Sequence, residues 1–326
     1  MKMKRAIYII LLLGGINTYV DAQQAPLYSQ YMLNGFLLNP AVAGSEGYTA
    51  INLTAREQWV GFKDGPGTYA MSFQTRLQRK SHISRTAAVR RRKRPNTRGG
   101  NVGLGGYVFN HTNGAVDRTG IKATYAYHIP FPNSQLSFGL SMVGYQLRLD
   151  DDKIKLEIED DNFWSGAHKS VIIPDADVGV YYTTQDIWVG FSVDQLFESV
   201  LKFGDAGYDQ LVMERNYYLM GGYDYMPRRD LTLSPSAMIK FAENGKWQAD
   251  FSAKAYFDQS FWTGVTYRTG QSIVVMAGIS VDRFIFGYAF DIGLNSIMKY
   301  SFGTHEFTFI AKLGDITKRY RWLNRY

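Results

Sequence analysis

The sequence predicts a transmembrane antiparallel β-barrel of about fourteen strands, an all-β fold preceded by a short N-terminal helical segment. Three observations carry this prediction. From Tyr48 onward, hydrophobic residues recur mostly with a period of two, one face of each segment is rich in aromatic residues, and the other face carries small, polar or charged ones. Membrane barrels combine an apolar outer surface with a polar interior in this way. Closure also leaves no unpaired strand edge in hydrocarbon.

Residues 1–22 have the pattern of a secretory signal peptide. Lys2, Lys4 and Arg5 precede an apolar core over 6–13, and small residues lead to Ala22. Because that core is about half the ~20 residues that a spanning helix needs, we prefer cleavage after Ala22 to a membrane anchor. The chain contains no cysteine, so disulfides and thiolate chemistry are excluded. Both features are typical of a bacterial envelope protein.

Residues 23–47 interrupt the strand pattern and form a separate segment. Its central part reads "LYSQYMLNGFLLNPAVAG". Gly35 and the pair Asn39-Pro40 interrupt it too strongly for a membrane helix. We expect a short helix from Ser29 to Leu38, followed by a turn into the first strand at the periplasmic mouth of the barrel.

Two interpretations of this segment remain open. It either plugs the barrel by packing into the lumen or against the rim, or it forms a partner-docking arm outside the barrel. The candidate residues for these roles are Tyr31, Met32, Phe36, Leu37, Asn39 and Pro40.

Residues 48–314 supply the predicted barrel. The fourteen segments are centred near residues 51, 72, 105, 124, 142, 180, 191, 220, 236, 252, 266, 277, 288 and 309. A β-sandwich or propeller also alternates, but the chain has no repeat of ~40 residues, and its segments run ~10 residues with lopsided connections. The alternation predicts that a set of polar residues faces the lumen, namely Lys122, Asp250, Lys254, Arg268 and Asp291.

The connections indicate which end of the barrel faces the periplasm. An even strand number places both chain ends there, together with the short turns "PFPNSQ", "TTQD", "PRRD" and "FDQS", whereas long loops face outward. The basic loop 78–99 departs from this pattern, and the basic tail 315–326 joins it at the periplasmic end.

The basic loop is the most charged part of the chain. Residues 76–98 hold ten bases and no acid, and the densest run is Arg90, Arg91, Arg92, Lys93 and Arg94. In a cytosolic protein this run would suggest nucleic acid, but the signal peptide argues against a nucleic-acid partner. It suggests either an anionic-lipid or acidic-protein contact, or a flexible solvated loop.

Two further features bear on the barrel wall. Pro235 lies within a strand segment but cannot donate a ladder hydrogen bond, so we expect a bulge, or two shorter strands in its place. The run "GGNVGLGG" lacks the residues of a phosphate-binding or dinucleotide-binding loop. Its glycines are expected to make room in the lumen.

No motif indicates catalysis. "GFSVD" and "GISVD" resemble a nucleophile elbow, but their second glycine is replaced by aspartate and no helix follows. The five histidines lack metal-ligand spacing, and the acidic run 150–161 lacks the pattern of a calcium loop. We predict no catalytic, cofactor-binding or metal-binding residue and no cofactor.

The chain resembles the PorP/SprF family of outer-membrane proteins from the type IX secretion and gliding machinery. The resemblance begins with "YSQYMLNGFLLNPAVAGS" and continues in order with Gln58, Trp59, Gly61, "TYAYH", "SPS", "TYR", "FGYAFD" and "FGTHE". The family's Gly-Ala-Pro-x-Thr reads "DGPGT" here. The basic loop is an insertion relative to the family pattern.

The resemblance implies an outer-membrane barrel that is not an enzyme. Its expected partners are outer-membrane lipid, periplasmic ring or lipoprotein subunits of the secretion system, and a secreted adhesin or its C-terminal signal domain. Family members either help to export and anchor a surface adhesin or associate with the periplasmic subunits. The competing classes are a passive channel, either a porin or a hydrophobic-solute transporter, and an outer-membrane lipase.

Overall fold

A computed structural model describes residues 28–77, 100–150, 170–197, 200–202, 210–212, 214–258, 260–294 and 296–313. The predicted signal peptide, the basic loop 78–99 with its run of residues 90–94, and the tail 315–326 lie outside the described residues. The predictions made for them stay predictions.

The described residues form strands over most of their length. In chain order these are β1 (Thr49–Glu57), β2 (Gly67–Leu77), β3 (Val102–Asn113), β4 (Val116–Pro130), β5 (Ser134–Leu149), β6 (Ser170–Thr184), β7 (Ile187–Asp194), β8 (Val200–Lys202), β9 (Gln210–Val212), β10 (Asn216–Tyr223), β11 (Tyr225–Arg228), β12 (Leu231–Ala242), β13 (Trp247–Phe257), β14 (Phe261–Arg268), β15 (Ser272–Val281), β16 (Phe284–Gly293) and β17 (Thr304–Leu313).

These strands close into one barrel. Strands β1 to β7 pair antiparallel with their chain neighbours, and so do strands β11 to β17; β1 also pairs with β17, and β10 pairs with both β7 and β12. Strand β11 continues β10, while β8 and β9 form a separate hairpin within an outer connection. The wall therefore has fourteen strands, which confirms the predicted fold class. Every predicted centre falls within one of them.

Helical structure is short. The described residues include 3-10 helices at Gly35–Leu37, Pro40–Val42 and Ser296–Tyr300. Among the residues that the structure describes, none of the helices has the length and apolarity that a membrane span requires.

The outer surface of the barrel is apolar and aromatic. In β16, Phe284, Phe286 and Tyr288 are exposed, whereas Ile285 and Ala289 are buried. Neighbouring rings pack across strands, as in β16 and β17, where the centroids of Phe286 and its cross-strand neighbour Phe309 are 5.1 Å apart. Such a surface is stable in hydrocarbon but costly in water.

Both ends of the barrel wall meet at one rim. The start of β1 and the end of β17 lie there, together with the turns at 131–133, 185–186, 229–230 and 282–283. Because short turns face the periplasm in bacterial outer-membrane barrels, we call this rim the periplasmic end and the other the extracellular end.

Pro235 does not divide its strand. Strand β12 runs unbroken through it and pairs with β13 in regular register, Pro235 opposite Ala253. The interruption lies instead in the neighbouring strand, which breaks at Asp224 between β10 and β11, and the β11–β12 register shifts before Arg228. The two-strand alternative is therefore wrong, and the irregularity expected from the missing donor falls on the adjacent strand.

The outward orientation of Val275 gives a first test. Val275 lies in the middle of β15 and is 48% exposed, so Val275→Arg should place a charge in hydrocarbon and lower the free energy of unfolding by ~2–4 kcal/mol. Urea titration in lipid vesicles measures this loss. Tyr300→Arg, in the outer 3-10 helix where the side chain is 75% exposed, should have little effect. An equal loss in both variants would contradict the orientation.

Candidate functional site: the filled lumen

Residues 28–45 lie inside the barrel, and we call them the lumen segment. At one end Ser29 contacts side chains near the extracellular ends of β1, β16 and β17. At the other end the carbonyl of Ser45 accepts a hydrogen bond from Gln135, at the periplasmic start of β5. The segment therefore extends well beyond the periplasmic mouth at which the sequence placed it.

The lumen segment is not the predicted helix from Ser29 to Leu38. Its backbone forms successive i to i+3 bonds, such as Leu33 N to Gln30 O at 2.9 Å, and two 3-10 helices. The N-terminal amides of Ser29 and Gln30 donate to the carboxylate of Glu306 on the barrel wall, at 2.7 and 2.8 Å. The first turn of an α-helix also leaves such amides without an internal partner, so the barrel wall anchors them, and the i to i+3 bonds that follow replace the predicted α-helix.

Ion pairs and hydrogen bonds fix the first residues of the lumen segment. Arg56 donates to Glu306 at 3.0 Å and to Asp291 at 2.8 Å. The hydroxyl of Ser29 donates to Asp291 at 2.8 Å and also contacts the Arg56 guanidinium. Arg268 adds bonds to Asp250 at 3.0 Å and to Asp291 at 3.5 Å. Each of these side chains is almost fully buried, and charges at such depth are tolerated only when paired.

The five polar candidates all face the interior and are buried. Asp250, Arg268 and Asp291 belong to the network just described. Lys122 pairs with Asp177 at 2.5 Å elsewhere in the lumen. Lys254 stands apart, because its Nζ atom donates to the hydroxyl of Tyr256 at 3.1 Å and forms no ion pair within the described part of the chain.

Arg56 and Glu306 were not among the sequence candidates, although they link the lumen segment to the wall. Their strands carry the signal that could have identified them. In β1, Asn52 and Thr54 alternate with outward residues and lead to Arg56, and in β17 Glu306 shares a face with Thr308. What the sequence could not supply was the pairing of two residues 250 positions apart.

Apolar residues of the lumen segment form the centre of the barrel interior. Tyr31 and Phe36 are each 1% exposed, and Leu37 is 7% exposed. They belong to the main cluster of buried hydrophobic residues, and Met32 packs between this cluster and a second one around Trp262. Burial on this scale stabilises the segment by ~1.5–3 kcal/mol per large side chain.

The middle of the lumen segment is pinned by Asn39. Its side-chain amide donates to the backbone carbonyls of Val180 and Phe191 at 3.0 and 3.2 Å, while its Oδ1 accepts from Ala41 N at 2.9 Å and caps the helix Pro40–Val42. Ser192 donates to the carbonyl of Leu38 at 2.6 Å. An asparagine supplies both the donor and the acceptor that this position uses.

Glycines on the inner wall make room for this segment. A Cβ atom at Gly139 would lie 2.2 Å from the nitrogen of Ala41, and one at Gly103 would lie 2.0 Å from the carbonyl oxygen of Ala43. At Gly105 it would lie 2.5 Å from the Phe36 ring. The interpretation of "GGNVGLGG" as lumen-facing glycines that make room is thus confirmed for Gly103 and Gly105.

The fold and this interior together define a class, a membrane β-barrel whose lumen is filled by its own N-terminal segment. The family model for the type IX secretion system membrane protein PorP/SprF matches residues 20–310. The chain belongs to this family, and it is an outer-membrane protein. No curated protein matches it significantly.

Similar solved structures are also outer-membrane proteins. Omp33 of Acinetobacter baumannii is 9% identical, with 82% of this chain and 98% of that chain covered and a TM-score of 0.44. The Pseudomonas putida toluene transporter TodX is 8% identical, with 86% and 94% covered and a TM-score of 0.45. At these values the similarity carries no information on function.

Two glycines of β5 provide a matched test of the lumen packing. Gly139→Val should collide with the backbone of the lumen segment, cost ~1–3 kcal/mol of stability and make the segment accessible to protease. Gly144 faces outward, and a Cβ atom added there would meet only open space, so Gly144→Val should leave both properties unchanged. Limited proteolysis and urea titration measure them. Equal protection in the two variants would contradict the packing described above.

Proposed function

We propose that this chain is a barrel component of the type IX secretion system that supports the export or surface anchoring of adhesin-type proteins. It contacts periplasmic ring or lipoprotein subunits, and it is not an enzyme. Family membership supports a role alongside secretion components. The observation that carries the finer proposal is the lumen segment, because a barrel filled from Ser29 to Ser45 is better suited to a partner-holding role than to passive diffusion.

The surroundings of one of the two serine motifs support a non-enzymatic role. Ser192, in "GFSVD", donates its hydroxyl proton to the Leu38 carbonyl at 2.6 Å, so it holds the lumen segment. A nucleophilic serine instead needs a base within hydrogen-bond reach. The hydroxyl of Ser192 is therefore engaged in packing.

Of the two roles considered for residues 23–47, we propose the plug. The burial of Tyr31 and Phe36 and the polar contacts of Ser29 and Asn39 favour a segment that stays in the lumen and seals it. The second candidate, a passive channel, is favoured by the cavities of about 90 and 130 Å³ that remain on either side of the segment.

Deletion of residues 25–44 separates these roles. A plug predicts new ion conductance when the deletion variant is reconstituted in planar bilayers, because the polar wall of the barrel then encloses a wide aqueous path. Loss of partners without new conductance would identify an external arm instead. Gly139→Val, which displaces the segment without removing it, provides the same readout if the deletion variant does not fold.

The basic loop is our candidate contact with the periplasmic subunits. Replacing Arg90, Arg91, Arg92, Lys93 and Arg94 with glutamine should sharply reduce co-purification with ring subunits, because charge of this density steers association. Arg228, the last residue of β11, and Arg229, in the short turn that follows at the same end, serve as the control pair, and Arg228→Gln/Arg229→Gln should co-purify normally. Unchanged recovery after neutralising the loop would overturn the proposed contact.

A further inference from the structure

A second site lies beneath the lumen segment, in a cavity of about 130 Å³ at the periplasmic end. Glu46, Ser280 and Lys312 line it at the rim, where all three are at least partly exposed. Met32 and Trp262 line it at greater depth. The cavity is thus reached from the periplasm and ends against the lumen segment.

Lys254 is the unusual group in this cavity. Its side chain is only 4% exposed, and its Nζ atom lies 5.4 Å from the ring centroid of Trp262 and 5.6 Å from that of Tyr256. Its hydrogen-bond partner is a neutral hydroxyl, that of Tyr256. Three other buried cations, Arg56, Arg268 and Lys122, each pair with a carboxylate, whereas Arg76 donates to neutral oxygens and Lys240 lies over the Tyr218 ring. A buried ammonium without a carboxylate is costly, and an anionic ligand that supplies the negative charge removes that cost.

The indole N–H of Trp262 is a further hydrogen-bond donor in the same cavity. The residue is 2% exposed, and its Nε1 atom has no hydrogen-bond partner within the described part of the chain. Buried indole N–H groups normally find an acceptor. An indole N–H without an acceptor and an ammonium whose hydrogen-bond partner is a neutral hydroxyl line one cavity, and together they are complementary to an oxygen anion.

Two acids also line this cavity, Glu46 at the rim and Asp224 at greater depth, and neither forms a salt bridge with Lys254 among the described residues. Asp224 accepts a hydrogen bond from the hydroxyl of Ser234 at 2.7 Å. Apolar side chains, among them Met32, Leu33 and Ile285, form much of the remaining lining. The volume is close to that of a ~150 Å³ cavity known to bind benzene, so the space admits one benzene-sized apolar group.

We propose that the periplasmic cavity binds a carboxylate attached to a compact apolar or aromatic group, with Lys254 and Trp262 as its donors. Two sources carry this chemistry, a free small carboxylate and the C-terminal residue of a polypeptide. Both can enter from the periplasmic end, and neither requires the lumen segment to leave. This site is independent of the proposed secretion role.

The test compares probes that differ in charge. N-acetylphenylalanine, its neutral amide and benzoate are titrated calorimetrically into the full-length protein in detergent. We expect the carboxylate of N-acetylphenylalanine to bind at least about tenfold more tightly than the amide, as a charge-assisted hydrogen bond predicts. Tighter binding of N-acetylphenylalanine than of benzoate identifies a polypeptide terminus, and equal or tighter binding of benzoate identifies a free carboxylate.

Substitutions test whether the preference for the carboxylate over the amide arises at Lys254 and Trp262. Lys254→Met should abolish it, Trp262→Phe should weaken it, and Asp224→Asn should strengthen it by removing a nearby negative charge. Lys240→Met is the matched control, since Lys240 is also buried in the lumen but lies over Tyr218, outside the lining of this cavity. No preference for the carboxylate in the unmodified protein, or the same preference in Lys254→Met, would overturn the proposal.

Discussion

The interior of this barrel depends on charges that cannot be left unpaired. Arg56 and Arg268 project inward, where they meet three carboxylates, those of Asp250, Asp291 and Glu306. Removing one partner from such a group typically costs ~3–5 kcal/mol, because the remaining charge stays buried. Two backbone amides and one hydroxyl of the lumen segment complete this group. The wall and the segment therefore specify each other.

The inner wall also has to leave room for the lumen segment. A segment that lies close to strands needs inward positions without side chains, and the glycines of β3 and β5 provide them. Asn39 then reaches the carbonyls of β6 and β7, and a carbonyl already paired in the sheet has a second lone pair free. The lumen segment lies so close to the inner wall that the barrel and the segment form one structure. This close packing also makes the stretch with which the family resemblance begins part of the fold.

Much of the barrel could be predicted because its signal is local. Alternation with a period of two located all fourteen wall strands. Lys122 and Arg268, which it assigned to the inner face, are buried in the structure. The conformation of the lumen segment could not be predicted, because its turns and 3-10 helices depend on partners such as Glu306 and Val180, far away in sequence. The same holds for the cavity around Lys254, where the informative property is the absence of an ion pair among the described residues.

The chain is a PorP/SprF family outer-membrane protein whose lumen segment fills the barrel interior. The most direct measurement of the central claim is the thiol accessibility of the lumen segment in the native membrane, since the chain has no cysteine of its own. Leu38 is 5% exposed, and Glu46, just beyond the segment, is exposed. In membrane fragments open on both sides, a cysteine in Leu38→Cys should react with a maleimide at least about 100-fold more slowly than one in Glu46→Cys, because it reacts only through local opening. Equal rates would contradict a segment held in the lumen.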